Sequence, residues 1–325
     1  MSADKLRLSL AICEYDHTRD FTHGPVAADG IELDLHVLPI AEIFQRFTRD
    51  REWDVSEMSL GMYVSLLSQG DTGLTAIPVF TSRMFRLSSF YARVGGDVKT
   101  LADLRGKRVG YPDWMHTAGI WARGYLAQQM GIALNEIEWV QAGVNAPGLQ
   151  EILKVKLPPD VKRSSRPDSS LDAMLLAGEI DAALTSHPLA SSHGPSPRSK
   201  RVLDDFIAEE TAYGKASGLF PIMHVIAIRS DVYARNPWIA EALYAAFDKA
   251  KGNSLARMRD STISRYPYPW MFSVAERATE LFGEDFWPYG VAPNRATLEA
   301  FLAFCLDQGV AHRPVGLSEL FAPGF

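Results

Sequence analysis

Two cysteines in 325 residues, Cys13 and Cys305, are too few for a disulfide framework. They fit a reducing compartment or a fold that does without bridges. No apolar run reaches the ~18 residues of a membrane span. One of the longest, Leu219 to Ile228, is interrupted by Pro221 and His224. The N-terminal stretch MSADKLRLSLAICEYDH carries Arg7 in a short apolar segment and lacks a small-residue cleavage pattern. No secretory signal is read there, and a cytoplasmic location is expected. Basic charge is not in excess: 33 Lys and Arg against 39 Asp and Glu leave a net charge of −6. That argues against a nucleic-acid-binding surface. A nucleophile elbow, a phosphate loop, a full dinucleotide fingerprint and an internal repeat are also absent.

What is present is an ordinary globular composition, 47% hydrophobic and 22% charged, with enough length for about two domains. Leu6 to Ile12 and Ile31 to Leu38 alternate as strands. Pro39 to Arg49 reads as a helix with Ile43, Phe44 and Phe47 on one face. A short buried strand at Trp53 to Ser56 leads into a helix from Ser59 to Leu67. Ala76 to Phe80 and Leu87 to Ala92 read as extended. A strand ending at Tyr111-Pro112 precedes a helix from Thr117 to Met130, closed by Gly131. Leu171 to Leu176 is helical, Ile180 to Leu184 and Leu219 to Ile228 are strands, and the chain is helical from Pro237, broken at YPYPW. Pro158 to Ser170 and His187 to Lys200 read as loops. This alternation predicts an α/β protein with a mostly parallel sheet in each of two lobes. Lobe 1 is expected over 1–94 and 220–325, lobe 2 over 95–219, with a central cleft where ligands meet strand ends and helix N-termini.

Gly106 to Gly110 (GKRVG), the helix after it and Leu176 to Ala182 (LAGEIDA) are similar to type II periplasmic binding proteins. A narrower match adds Trp53 to Ser59 (WDVSEMS), Ile77 to Arg86 (IPVFTSRMFR), Thr117 to Gly124 (TAGIWARG) and Phe220 to His224 (FPIMH). In combination these resemble the 4,5-dihydroxyphthalate decarboxylase family over most of the chain. The resemblance implies a cytoplasmic lyase that converts 4,5-dihydroxyphthalate to protocatechuate and carbon dioxide. The expected partners are a small aromatic carboxylate and further copies of the same chain, with no nucleic acid and no membrane. No cofactor is expected.

Such a reaction needs a proton for the ring carbon that loses its carboxylate, a base near the phenol, and cations or amides for the carboxylates. Arg83 and Arg86 are candidates for the carboxylates because guanidinium binds them through paired hydrogen bonds, and the family motif holds both. Three apart in a regular strand, they would face opposite sides. Thr117 is a candidate N-cap, and the helix start with His116 is a candidate anion site. Arg123 lies nearly two turns on. Ser59 and Glu57 occupy the equivalent turn in the first lobe. Glu57 is read as orienting a histidine or, if desolvated, as an acid; its ordinary alternative is a helix-start carboxylate. His224 interrupts an apolar strand and needs a specific partner, as a core histidine would too. His17 and His187 follow strands. The candidate catalytic groups are therefore His224, His116 and Glu57. The candidate substrate-binding groups are Arg83, Arg86, Thr117, Ser59, Arg123, His187 and His17. Tightly spaced metal ligands such as His-Glu-x-x-His are absent, although a composite divalent site from distant histidines stays open. A binding protein for an aromatic or dicarboxylic solute is the alternative reading. An enzyme of cofactor or vitamin synthesis on the same fold is a third.

Overall fold

The LRLSLAI stretch folds as β1 (Leu6–Ile12) and pairs in parallel with β2 (Ile31–Val37), Leu6 against Ile31 and Ile12 against Val37. The computed structural model describes residues 5–149 and 151–325. Around and after this pair come α1 (Arg19–Thr22), α2 (Ile40–Asp50), β3 (Val55–Ser59), α3 (Leu60–Ser68) and β4 (Leu74–Arg83). Next are β5 (Phe90–Arg93), β6 (Arg108–Tyr111), α4 (Thr117–Met130), β7 (Glu138–Gly143) and β8 (Arg163–Ser170). They are followed by α5 (Leu171–Ala177), β9 (Ala182–Leu184), β10 (Ser199–Arg201) and α6 (Phe206–Ser217). The chain closes with β11 (Ile222–Arg229), α7 (Ser230–Arg235), α8 (Ile239–Arg259), α9 (Met271–Phe282), α10 (Arg295–Asp307) and α11 (Leu317–Leu320).

The strands form two sheets, in the orders β2-β1-β3-β11-β4 and β10-β5-β9-β6-β7-β8. The α/β class is as expected, but both sheets are mixed rather than mostly parallel. β11 runs antiparallel to β3 and β4, and β5 runs antiparallel to β9 and β10. These are the strands by which the chain enters one sheet from the other, so each arrives against its neighbours' direction. Helices cover the sheets, and β3 is buried along its whole length. A strand covered on both faces loses the period-2 pattern, which is why VSEMS does not alternate.

Two local expectations fail. Pro158 to Ser170 contains β8, not only loop. Its Arg, Ser and Pro residues are poor strand formers, but pairing with β7 at the sheet edge overrides propensity, and an edge tolerates Pro167. Leu87 to Ala92 is not continuously extended: Leu87–Ser89 is a 3₁₀ turn before β5. α4 matches its predicted limits and ends at Gly131 with φ 60°, the left-handed cap that glycine adopts without strain.

The close approach that positions the site is at Gly61. A Cβ there would stand 2.7 Å from both the Met115 carbonyl oxygen and Ile120 Cδ1. Only glycine lets the start of α3 lie against the start of α4.

Candidate active site

β3 and β11 place two polar side chains on one patch of an otherwise apolar sheet. His224 pairs with Ser59 across the strands, and Ile226 pairs with Glu57. His224 Nδ1 lies 2.7 Å from Glu57 Oε1. Glu57 is fully buried. Its Oε1 also accepts from the Tyr15 hydroxyl at 2.6 Å and the Thr81 hydroxyl at 2.8 Å, and Oε2 accepts from the Cys13 N–H at 2.9 Å. Burial alone would raise the Glu57 carboxyl. The bond and charge of His224, then the donors Tyr15 and Cys13, outweigh that and hold it below the usual carboxylate range. A carboxylate can only accept, so Nδ1 carries the proton and Nε2 is the atom left for a ligand. The edge of Phe44 packs on the imidazole at 4.9 Å.

The second sheet contributes the opposite wall. His116 stands at the N-cap of α4 and Ser186 follows β9, with 3.2 Å between His116 Nε2 and Ser186 Oγ. His116 is pulled down to about 3, first by burial and then by the charges of Arg86, His187 and His224. Those three groups therefore share its surroundings. Arg86 is the N-cap of the 3₁₀ turn after β4, and its Nε reaches Met223 Sδ, next to His224, at 3.4 Å. Burial lowers its guanidinium to about 10, still charged at neutral pH. Among the described residues no carboxylate pairs with it. A half-buried cation without a counterion is a site for an anion.

The remaining candidates divide. Thr117 is not the N-cap of α4; it is the first helical residue. Its hydroxyl, 2.9 Å from Ser59 Oγ, accepts from Gly61 N–H at 3.1 Å, so Thr117 and Ser59 tie the two helix starts together. Arg83 and Arg86 do not share one extended segment, because β4 stops at Arg83. Arg83 is buried, donates to the Pro288 and Phe220 carbonyls at 3.0 and 2.8 Å, and stacks on Phe220 at 4.4 Å. Desolvation lowers it to about 9. Arg123 is buried in the helix layer, over Trp114 at 4.0 Å and bonded to Gln308 Oε1 at 2.8 Å. His17 sits between Tyr15 and Trp287, each ring 5.2 Å away, and burial lowers it to about 4. His187 is exposed beside His116. Tyr15, Thr81 and Ser186 join the site without having been expected there. Tyr15 and Thr81 reach Glu57 across 42 and 24 positions, and no local pattern signals such a contact. Ser186 lies one residue before the candidate His187 and is the easier of the three to find.

Among the described residues no group of three or more His, Cys, Asp or Glu has the geometry to hold a metal ion. No helix among them is long and apolar enough to cross a membrane.

No family model matches the chain. The 4,5-dihydroxyphthalate decarboxylase of Comamonas testosteroni is 33% identical over 320 residues, covering 98% of this chain and 97% of its own length. The Pseudomonas putida protein of the same name is 36% identical over 182 residues, 56% of this chain and 70% of that one. Among solved structures, the periplasmic sulfonate-binding protein SsuA from Methylobacillus flagellatus KT is 14% identical with a TM-score of 0.54, covering 98% of this chain and 92% of that one. The desulfurization enzyme DSZB in complex with biphenyl-2-sulfinic acid is 16% identical with a TM-score of 0.55, covering 98% and 96%. At such identities these structures speak for the type II binding-protein-like fold alone.

Proposed function

The chain belongs to the 4,5-dihydroxyphthalate decarboxylase family and is a carboxy-lyase; from that premise we propose that it converts 4,5-dihydroxyphthalate to protocatechuate and carbon dioxide, with His224 as proton donor. The observation that supports this reading is the 2.7 Å Glu57–His224 pair next to the unpaired guanidinium of Arg86. The substrate lies between the two sheets. Arg86 and the uncapped first turn of α4 hold its carboxylates. His116 stays neutral and hydrogen-bonds the ligand without supplying a proton. Glu57 has its oxygens engaged by Tyr15, Thr81, His224 and Cys13, so it orients the imidazole rather than acting on substrate. Arg123, Arg83, Thr117 and Ser59 hold the walls in place.

A hydroxyl para to the departing carboxylate pushes electrons into the ring. The ring carbon takes the proton from His224 Nε2, forming the new C–H bond. The bond to the carboxylate then breaks, its electron pair restores the aromatic ring, and carbon dioxide leaves. The imidazole left neutral regains a proton from water. The imidazolium form has the Glu57 carboxylate as its counter-charge, and a general acid placed this way contributes about 10²–10⁴-fold.

The test is incubation of the purified chain with 4,5-dihydroxyphthalate, following carbon dioxide and protocatechuate with and without divalent metal. Turnover without an added organic cofactor is expected. Tight binding with no carbon dioxide under either condition would overturn the reading in favour of a binding protein.

A further inference from the structure

Tyr15 stands in the loop after β1, with its hydroxyl 2.6 Å from Glu57 Oε1 and 3.3 Å from His224 Nδ1. Burial, followed by the neighbouring Glu57 charge, pushes its phenol far above the ordinary range. Tyr15 is therefore a permanent donor, and its own proton is committed to Glu57. Only its lone pair faces Nδ1. Oε1 thus collects Tyr15, Thr81 and the imidazole, in a spot without solvent contact. The titratable groups around the carboxylate are Cys13, Tyr15 and His17 from the β1 loop, His224 from β11, and Tyr289 from the segment before α10. Among the described residues no lysine or arginine pairs with Glu57. A buried carboxylate with no fixed cation keeps its charge through donors.

We propose that Tyr15 is a positioning residue that keeps Glu57 ionised and aimed at His224 Nδ1, so that Nε2 of the imidazole is the atom that exchanges its proton with the ligand. The proposal rests on the reading of His224 as proton donor. Loss of the donor leaves Glu57 harder to ionise and free to turn. The effect belongs to kcat, because Tyr15 makes no contact that the proposal needs for holding carboxylates.

The test is Tyr15→Phe, which keeps the ring and removes only the hydroxyl. Turnover is read across pH. Glu57 is titrated in the resting protein by carbon-13 NMR of labelled glutamate, its resonance assigned with Glu57→Gln. We expect kcat to fall about tenfold, as for the loss of one buried hydrogen bond to a charged group, with KM within about twofold. The acid limb of kcat and the Glu57 titration both move to higher pH. An unmoved Glu57 titration with an unchanged acid limb would overturn the proposal, whatever happens to the melting temperature. Thr81→Val, which removes a donor without touching Nδ1, is expected to move the same titration in the same direction. If the titration moves while the parent protein turns over no hydroxylated phthalate, the decarboxylase reading fails and the positioning role stands.

Discussion

His224 and His116 are the same residue type on opposite walls of one site, and their neighbours set them to opposite tasks. His224 has a buried carboxylate 2.7 Å from Nδ1. His116 has Arg86 as its strongest charged neighbour, a serine as its partner, and a value lowered to about 3 by burial and that charge. One imidazole has a counter-charge for its cationic form and the other is kept from forming it. The difference teaches that a histidine count does not identify a proton donor; the sign of the nearest buried charge does.

The largest effect should come from removing the cation that marks His116's side. Arg86→Ala leaves a bound carboxylate unpaired, at a cost of about 2–5 kcal/mol by analogy with buried charge pairs at interfaces. Substrate affinity measured by calorimetry should fall at least about 30-fold, and near-normal affinity would place Arg86 outside the site. Next is the anion on His224's side. Glu57→Gln keeps the shape but removes the counter-charge, and kcat should fall about 10²-fold, read in steady-state assays at saturating substrate. A Gln variant with parent kcat would dissolve the distinction between the two histidines.

Gly61→Ala tests the contact that brings the two walls together. Its Cβ would press on the Met115 carbonyl at 2.7 Å, and overpacking of this kind costs about 1–3 kcal/mol. The melting temperature should drop, with kcat loss following misplacement of His116. The smallest effect concerns stability against pH. His116 is depressed when folded, so the unfolded chain binds its proton first as pH falls. Its contribution to stability is present above the ordinary histidine value, ~6.5, and is lost as pH falls through that value toward about 3. His116→Asn should therefore melt with a flatter pH dependence between pH 7 and 5 than the parent, while kcat changes less than for His224→Asn. An equally steep melting curve would show that His116 is not the depressed histidine.

Parts of this arrangement are legible in the sequence. The limits of α4 follow from a periodic run closed by Gly131, and His224 stands out as a polar residue within an apolar strand. Glu57 is visible at a strand-to-helix turn. Its partner is less so, because a lone carboxylate at such a turn reads as well as a helix-start charge. Strand pairing between β3 and β11, 167 positions apart at the Glu57–His224 contact, decides between the two. Arg123 misleads for a related reason. Its place on α4 is as expected, but Gln308 beyond the end of α10 and the face of Trp114 hold its guanidinium in the helix layer. β8 is hidden because edge pairing with β7, not residue preference, makes it a strand.

The most direct measurement is kcat for His224→Asn with 4,5-dihydroxyphthalate, taken with ligand affinity and melting temperature on the same preparation. With His224 as proton donor, affinity and melting temperature stay near the parent's while kcat falls at least about 10²-fold. A stable variant that binds the compound and turns it over at close to the parent rate would contradict the assignment.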